Sequence, residues 1–252
     1  MLSEVFKLFW KTVEMKDARR INSQTPPTEI EQFCDIQYID DGLWQHRLDV
    51  YSKSGKLSHR PVIIDIHGGG WMYGTKEINK NYCLVLAQND YVVVNINYRL
   101  APDFSVADQL RDCFFAFKWV STNIEKYGGD LNDVFVTGDS AGGFLAAYSA
   151  LLNSSDKLRK VFGVTESGLE FRACGLTSPV CFMNTHTFQD VYYSRVKGKE
   201  FSESTLRGFE NFDAVLNKGS MPPTFLVTSS GDAVGRLPTI KIYNFCLLYT
   251  SD

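Results

Sequence analysis

Gly138-Asp139-Ser140-Ala141-Gly142 directly follows the β-like run Asp133-Val134-Phe135-Val136-Thr137. A serine on such a strand-to-helix turn is forced into a strained backbone conformation, and small residues must stand two positions to either side or their side chains would collide. Gly138 and Gly142 meet that demand. The turn presents the Ser140 hydroxyl as a nucleophile at a helix N-terminus, where the dipole and free N–H groups favour a developing negative charge. Taken alone, the pattern is also compatible with Ser140 as a plain helix cap.

A second constellation narrows the chemistry. His67-Gly68-Gly69-Gly70-Trp71 follows the apolar run Val62-Ile63-Ile64-Asp65-Ile66, upstream of the serine, where the loop after an early central strand is expected. Three glycines let the backbone approach a substrate carbonyl and aim N–H groups at it. The N–H groups of Gly68, Gly69 and Gly70, with that of Ala141, are the expected oxyanion hole, a feature whose single donors are typically worth roughly 2.7–4 kcal/mol of barrier. A serine hydroxyl also needs a histidine to take its proton and a carboxylate to orient that histidine. Asp232, in Thr228-Ser229-Ser230-Gly231-Asp232 after the last expected strand, is the candidate acid. The four histidines, His46, His59, His67 and His186, all precede it. Asp139 reads as a loop-bracing carboxylate, and Arg99 with Asp112 as a structural pair beneath the serine. The chemistry calls for no cofactor and no metal.

These motifs, together with Tyr98-Arg99-Leu100-Ala101-Pro102 and Tyr127-Gly128-Gly129-Asp130, closely resemble the hormone-sensitive-lipase-like branch of the α/β-hydrolases over roughly residues 45–235. The resemblance implies a carboxylesterase acting on esters of short to medium acyl chains, with a cap built by the N-terminal segment and by an insertion. It also implies a histidine-bearing loop after a further helix and strand beyond Asp232. No histidine follows Asp232, and the closing Leu247-Leu248-Tyr249-Thr250-Ser251-Asp252 resembles nothing expected next, so the sequence reads as a C-terminally truncated copy lacking the last strand. Two alternatives stand beside the esterase: a receptor-like small-molecule-binding homologue, as in the plant gibberellin receptors that keep the serine and lack the histidine, and a related amidase or formamidase.

The elements that must position these residues follow from patterning. At 252 residues, 44% hydrophobic and 22% charged, the chain suits one α/β domain with a large core. Strand-like runs Val62–Ile66, Tyr91–Tyr98, Asp133–Gly138, Ala173–Val180 and Thr224–Ser230 recur. The first three are separated by helical segments Lys76–Asn89 and Val106–Tyr127, which predicts a mostly parallel sheet with helices on both faces. Two strands flanking Asp40-Asp41-Gly42 form an expected hairpin. Along Val106–Tyr127 the stripe Val106, Leu110, Phe114, Phe117, Val120 should pack on the sheet. Residues 1–32 form the expected cap segment, with a helix ending before Pro26-Pro27 and with Phe6, Phe9 and Trp10 suited to line an acyl site. Residues 181–221, polar and irregular in pattern, form the expected lid insertion.

A net charge of −3 without a basic run points away from nucleic acid. The early charges interrupt any secretory apolar core and no stretch suits a bilayer span, which places the protein in the cytoplasm with a small-molecule partner. Cysteines 34, 83, 113, 174, 181 and 246 show no metal-ligand spacing and read as buried or incidental thiols. Oligomeric state is not encoded in any of these patterns.

Overall fold

The computed structural model describes residues 2–55, 59–183, 189–203 and 206–250. In chain order its elements are α1 (Leu2–Asn22), β1 (Ile30–Gln37), β2 (Arg47–Lys53), β3 (Arg60–Ile66), a 3-10 turn (Lys76–Ile78) and α2 (Lys80–Gln88). There follow β4 (Val92–Ile96), α3 (Val106–Asn123), a second 3-10 turn (Ile124–Tyr127), β5 (Gly129–Asp139), α4 (Ala141–Asn153), α5 (Asp156–Phe162) and β6 (Phe171–Thr177). The chain then runs through α6 (Gln189–Glu203), α7 (Asp213–Leu216), β7 (Thr224–Val227) and α8 (Arg236–Thr250).

The seven strands form one sheet in the order β1-β2-β4-β3-β5-β6-β7. β1 and β2 pair antiparallel, as do β2 and β4, while β4-β3-β5-β6-β7 are parallel. Helices cover both faces, as an α/β-hydrolase fold requires. Strands covered on both faces read as continuous apolar runs, and every residue of β4 is buried. The same logic explains α4, apolar on all sides and buried from Ala141 to Leu152. Along α3 the five stripe residues Val106, Leu110, Phe114, Phe117 and Val120 are fully buried, and a capping box between Ser105 and Asp108 fixes the helix start. Replacing a core aromatic such as Phe117 by alanine costs about 3–5 kcal/mol in comparable sites.

Two expectations change. The helix expected over Lys76–Asn89 is divided at Asn79 (φ −102°, ψ 0°), because the Asn79 side chain is drawn inward to the sheet instead of onto its own helix. The segment expected to be irregular between 181 and 221 carries α6 and α7. Its helical stretch is held by tertiary burial of Tyr193, Val196 and Phe201, and Gly198 (φ 64°) breaks α6 before the last of these. Residues 184–188, and His186 with them, lie outside the described residues, as do the side chains of Phe6 and Cys246. Of the remaining cysteines, Cys34 is exposed and the other four are free and buried.

One buried polar cluster joins the β1–β2 hairpin to α3. Asp112, fully buried, accepts from the Arg99 backbone N–H at 2.9 Å, from Arg99 Nε at 2.9 Å and from Arg99 Nη2 at 2.7 Å. His46, also buried, places Nδ1 2.7 Å from Asp41 Oδ2, and its Nε2 lies 3.2 Å from Asp112 Oδ1, at ion-pair distance but without hydrogen-bond alignment. Burial disfavours the imidazolium, yet the pull of Asp112 and then Asp41 outweighs it, so the His46 pKa is raised above its ordinary 6.5. A raised folded-state pKa contributes stability that is complete below the unfolded-state value and is lost as pH rises through the folded-state value. Urea unfolding of the wild type and of His46→Gln at intervals from pH 5.5 to 9 should therefore give a stability difference that favours the wild type at low pH and shrinks above pH 6.5. A difference independent of pH would remove the charged imidazole from this account.

Candidate active site

Ser140 sits between the last residue of β5 and the first of α4 with φ 52° and ψ −113°. Such a positive φ at a non-glycine residue costs on the order of 1–3 kcal/mol and persists only where the surroundings over-determine it. Ser140 N–H donates to Thr177 O at 2.9 Å, and Ser140 O accepts from Val180 N–H at 3.2 Å and from Phe144 N–H at 3.1 Å. Its side chain makes no capping bond, which sets aside the plain-cap reading of the hydroxyl. The flanking glycines are sterically required. A Cβ on Gly138 would overlap the carbonyl of Gly142, and one on Gly142 would overlap the carbonyl oxygen of Ile66 in β3.

The glycine loop faces this serine across a cavity of about 190 Å³, lined by Gly68, Gly69, Gly70, Asp139, Ser140 and residues of α1 and of the 73–79 segment. Gly69 (φ 116°) and Gly70 (φ 58°) occupy backbone conformations that side chains resist. Side chains hold the loop's main chain at successive points. Tyr98 Oη donates to His67 O at 2.8 Å, Tyr192 Oη donates to Gly70 O, and Gln109 Nε2 and the Ala101 N–H donate to Trp71 O at 2.9 and 2.8 Å. Gly68 N–H donates to Asp139 Oδ1 at 3.0 Å. The Gly68 N–H, one of the expected oxyanion donors, is thus engaged by a side chain, whereas those of Gly69, Gly70 and Ala141 have no described partner.

The other candidate residues fall as follows. His67 is fully buried, stacks on Tyr98 with ring centroids 4.4 Å apart, and sets Nδ1 2.7 Å from Gly68 O; burial pushes its pKa down to about 4, so the ring is neutral. His46 belongs to the hairpin cluster, and His59 is exposed. Burial raises the pKa of Asp139. Asp232 follows β7 and accepts from the N–H groups of Val234 and Gly235, each at 2.9 Å. A hydrogen bond from Ser178, then that of Gly235, lowers its pKa, so the carboxylate is ionised at neutral pH. Ser178 in turn donates its N–H to Val227 O at 2.7 Å, two residues before the Val180 N–H that reaches Ser140. The acid candidate thus lies beside the end of β6, whose Thr177 carbonyl holds the Ser140 N–H. Among the described residues no group of three His, Cys, Asp or Glu is placed to hold a metal ion.

Helix α1 forms one wall of the cavity. Trp10 stacks on Tyr73 at 5.4 Å, and Trp10, Val13, Asp17 and Arg20 line the site from α1. Phe9, named with Trp10 as an acyl-site candidate, is 55% exposed and packs edge-on to Trp10 instead of lining the cavity. Asn79, Tyr192 and Gln109 carried no sequence signal for this role, since each acts through contacts made only in the folded chain. Tyr98 lay inside a recognised motif, but its hydroxyl's task was not readable there.

This fold and site define an α/β-hydrolase. The chain belongs to the BD-FAE family, whose model matches residues 48–196. It is 28% identical over 198 residues to an isoprenylcysteine alpha-carbonyl methylesterase of Arabidopsis thaliana, covering 75% of this chain and 46% of that protein. It is 32% identical over 145 residues to the carboxylesterase NlhH of Mycobacterium tuberculosis, covering 56% and 45%. The matched part thus spans less than half the length of either relative. Among solved structures, esterase B from Lactobacillus rhamnosis inhibited by a tributyrin phosphonate superposes with a TM-score of 0.90 at 29% identity, covering 97% of this chain and 80% of that one. No described helix is long and apolar enough to cross a membrane.

The elbow geometry predicts that Gly142→Ala melts well below the wild type, because its methyl meets backbone that cannot yield. Such overpacking costs about 1–3 kcal/mol or more, and each kcal/mol is about 2–4 °C in a chain of this size. Gly231→Ala, whose Cβ would meet only Ser229 Oγ at 4.0 Å, should melt like the wild type. Equal melting of both variants by circular dichroism would contradict the packing described.

Proposed function

We propose that this chain is a carboxylesterase-type serine hydrolase that cleaves esters of short to medium acyl chains through an acyl-enzyme on Ser140. Ser140 Oγ attacks the acyl carbon, and the new C–O bond forms as the carbonyl oxygen takes up charge. The N–H groups of Gly69, Gly70 and Ala141 receive that charge. Collapse expels the alcohol, which takes the proton given up by Ser140, and water then releases the acid. Asp232, ionised and held by Val234 and Gly235, is the carboxylate available to orient an imidazole base, the proton carrier in this class of enzyme. No histidine of the sequence follows Asp232.

The observation that carries the proposal is the opposition of Ser140 to the braced glycine loop across one cavity. Its size supports the substrate class: about 190 Å³ is somewhat more than the roughly 150 Å³ that accommodates benzene in an engineered cavity. A group of that bulk fits beside Trp10. The esterase names of the relatives support the same reading.

A second reading, a receptor-like binder that keeps the pocket without turnover, draws on the described histidines, each engaged or placed away from Ser140. An alkyl fluorophosphonate together with p-nitrophenyl butyrate separates the two. The esterase should be phosphonylated at Ser140 and should hydrolyse the ester, with both lost in Ser140→Ala. Saturable binding of a non-hydrolysable butyrate ketone without label or turnover would instead establish the binder, and absence of label, turnover and binding would defeat both. Faster cleavage of a butyranilide or formanilide than of the matching ester would reassign the chain as an amidase.

A further inference from the structure

Asn79 stands at the N-cap of α2, where asparagine ordinarily turns its side chain onto the free N–H groups of its own helix. It makes no such bond. Its Nδ2 donates instead to two carboxylates, Asp65 Oδ2 at 3.0 Å and Asp139 Oδ1 at 2.9 Å. The Asp139 oxygen that takes this bond is the one that accepts the Gly68 N–H at 3.0 Å. Asp65 is 1% exposed at the end of β3, just before the glycine loop.

An amide NH₂ has two N–H groups, which matches two carboxylate acceptors one for one. Without that bridge Asp139, which lines the cavity, loses one of the two donors held by its Oδ1 and its tie to Asp65. Any rotation of Asp139 would release Gly68 and with it the backbone that aims Gly69 and Gly70.

We propose that Asn79 is a positioning residue for the oxyanion-binding loop: by spanning Asp65 and Asp139 it fixes the carboxylate that holds Gly68 N–H, and so sets where the donors of Gly69 and Gly70 point. The catalytic consequence rests on the esterase reading, whereas the effect on Gly68 does not. Asn79 touches no reacting atom, and its action passes through Asp139.

Two variants test this. Asn79→Leu removes the donor. Asn79→Ser is a good N-cap that keeps α2 stable and is too short to span both carboxylates. Hydrogen exchange at the Gly68 amide should accelerate by about 10-fold or more in both, as expected when a hydrogen bond that secures a loop is lost. With p-nitrophenyl butyrate, kcat should fall about 10-fold or more while KM changes less than about 2-fold, the pattern of a lost transition-state contact. Asn81→Leu, whose amide reaches only Gln24 and Ile21 O, should change neither. Gly68 exchange and kcat at wild-type values in a folded Asn79→Ser would overturn the proposal. A wild type with neither turnover nor phosphonylation would sink the esterase reading alone, and Gly68 exchange would still decide the role of Asn79.

Discussion

The site depends on one backbone conformation, that of Ser140. A serine at φ 52° and ψ −113° is unfavourable in isolation, so its neighbours must hold it there. β6 does so from one side, with Thr177 O on the Ser140 N–H and Val180 N–H on the Ser140 carbonyl. β3 does so from the other, because α4 lies so close to it that Gly142 leaves no room for a side chain under Ile66 O. The burial of α4 along its length has a second cause: α3, α5 and α7 pack against it as well as the sheet. Core packing and nucleophile presentation are here a single constraint, which is why a methyl group at Gly142 should be felt as lost stability as well as lost geometry.

The glycine loop obeys a different rule. Glycines alone would make it mobile, and three in a row give the chain no preferred path. Order comes from side chains outside the loop, Tyr98, Asp139, Tyr192 and Gln109, each taking one of its main-chain groups. Buried backbone polar groups must find partners, and here side chains supply them. The groups without described partners, the N–H of Gly69 and Gly70, are those that face the cavity. Donors fixed in advance need no reorganisation as charge develops, which is the physical basis of oxyanion stabilisation.

Much of this could be read from the chain itself, for identifiable reasons. The central strands are legible because burial on both faces leaves continuous apolar runs, as in Val92–Ile96. The elbow is legible because steric exclusion at Gly138 and Gly142 is a local demand. Helix α6 was not, since the burial of Tyr193 and Val196 is decided by tertiary contact, Tyr193 lying edge-on to Trp71 at 6.0 Å. The allocation of N–H groups within the loop was equally hidden. Nothing in three successive glycines says that the first is spent on Asp139, nor that an asparagine at a helix start faces inward. Those facts depend on pairs of residues far apart in sequence, as Gly68 and Asp139 are.

Residues of α1 and α6 both pack on the glycine loop. Gly70 lies against Trp10 from α1 and Tyr192 from α6 so closely that a Cβ there would overlap both, and Tyr192 also donates to the Gly70 carbonyl. Trp10 completes the contact by stacking on Tyr73, whose N–H closes the turn onto Gly69 O at 3.0 Å. Trp10, which lines the cavity, therefore also touches the glycine loop at Gly70. On the esterase reading, shortening Trp10 would enlarge the site and remove its contact with Gly70 together, so the range of acyl groups accepted and the support of the loop would change as one.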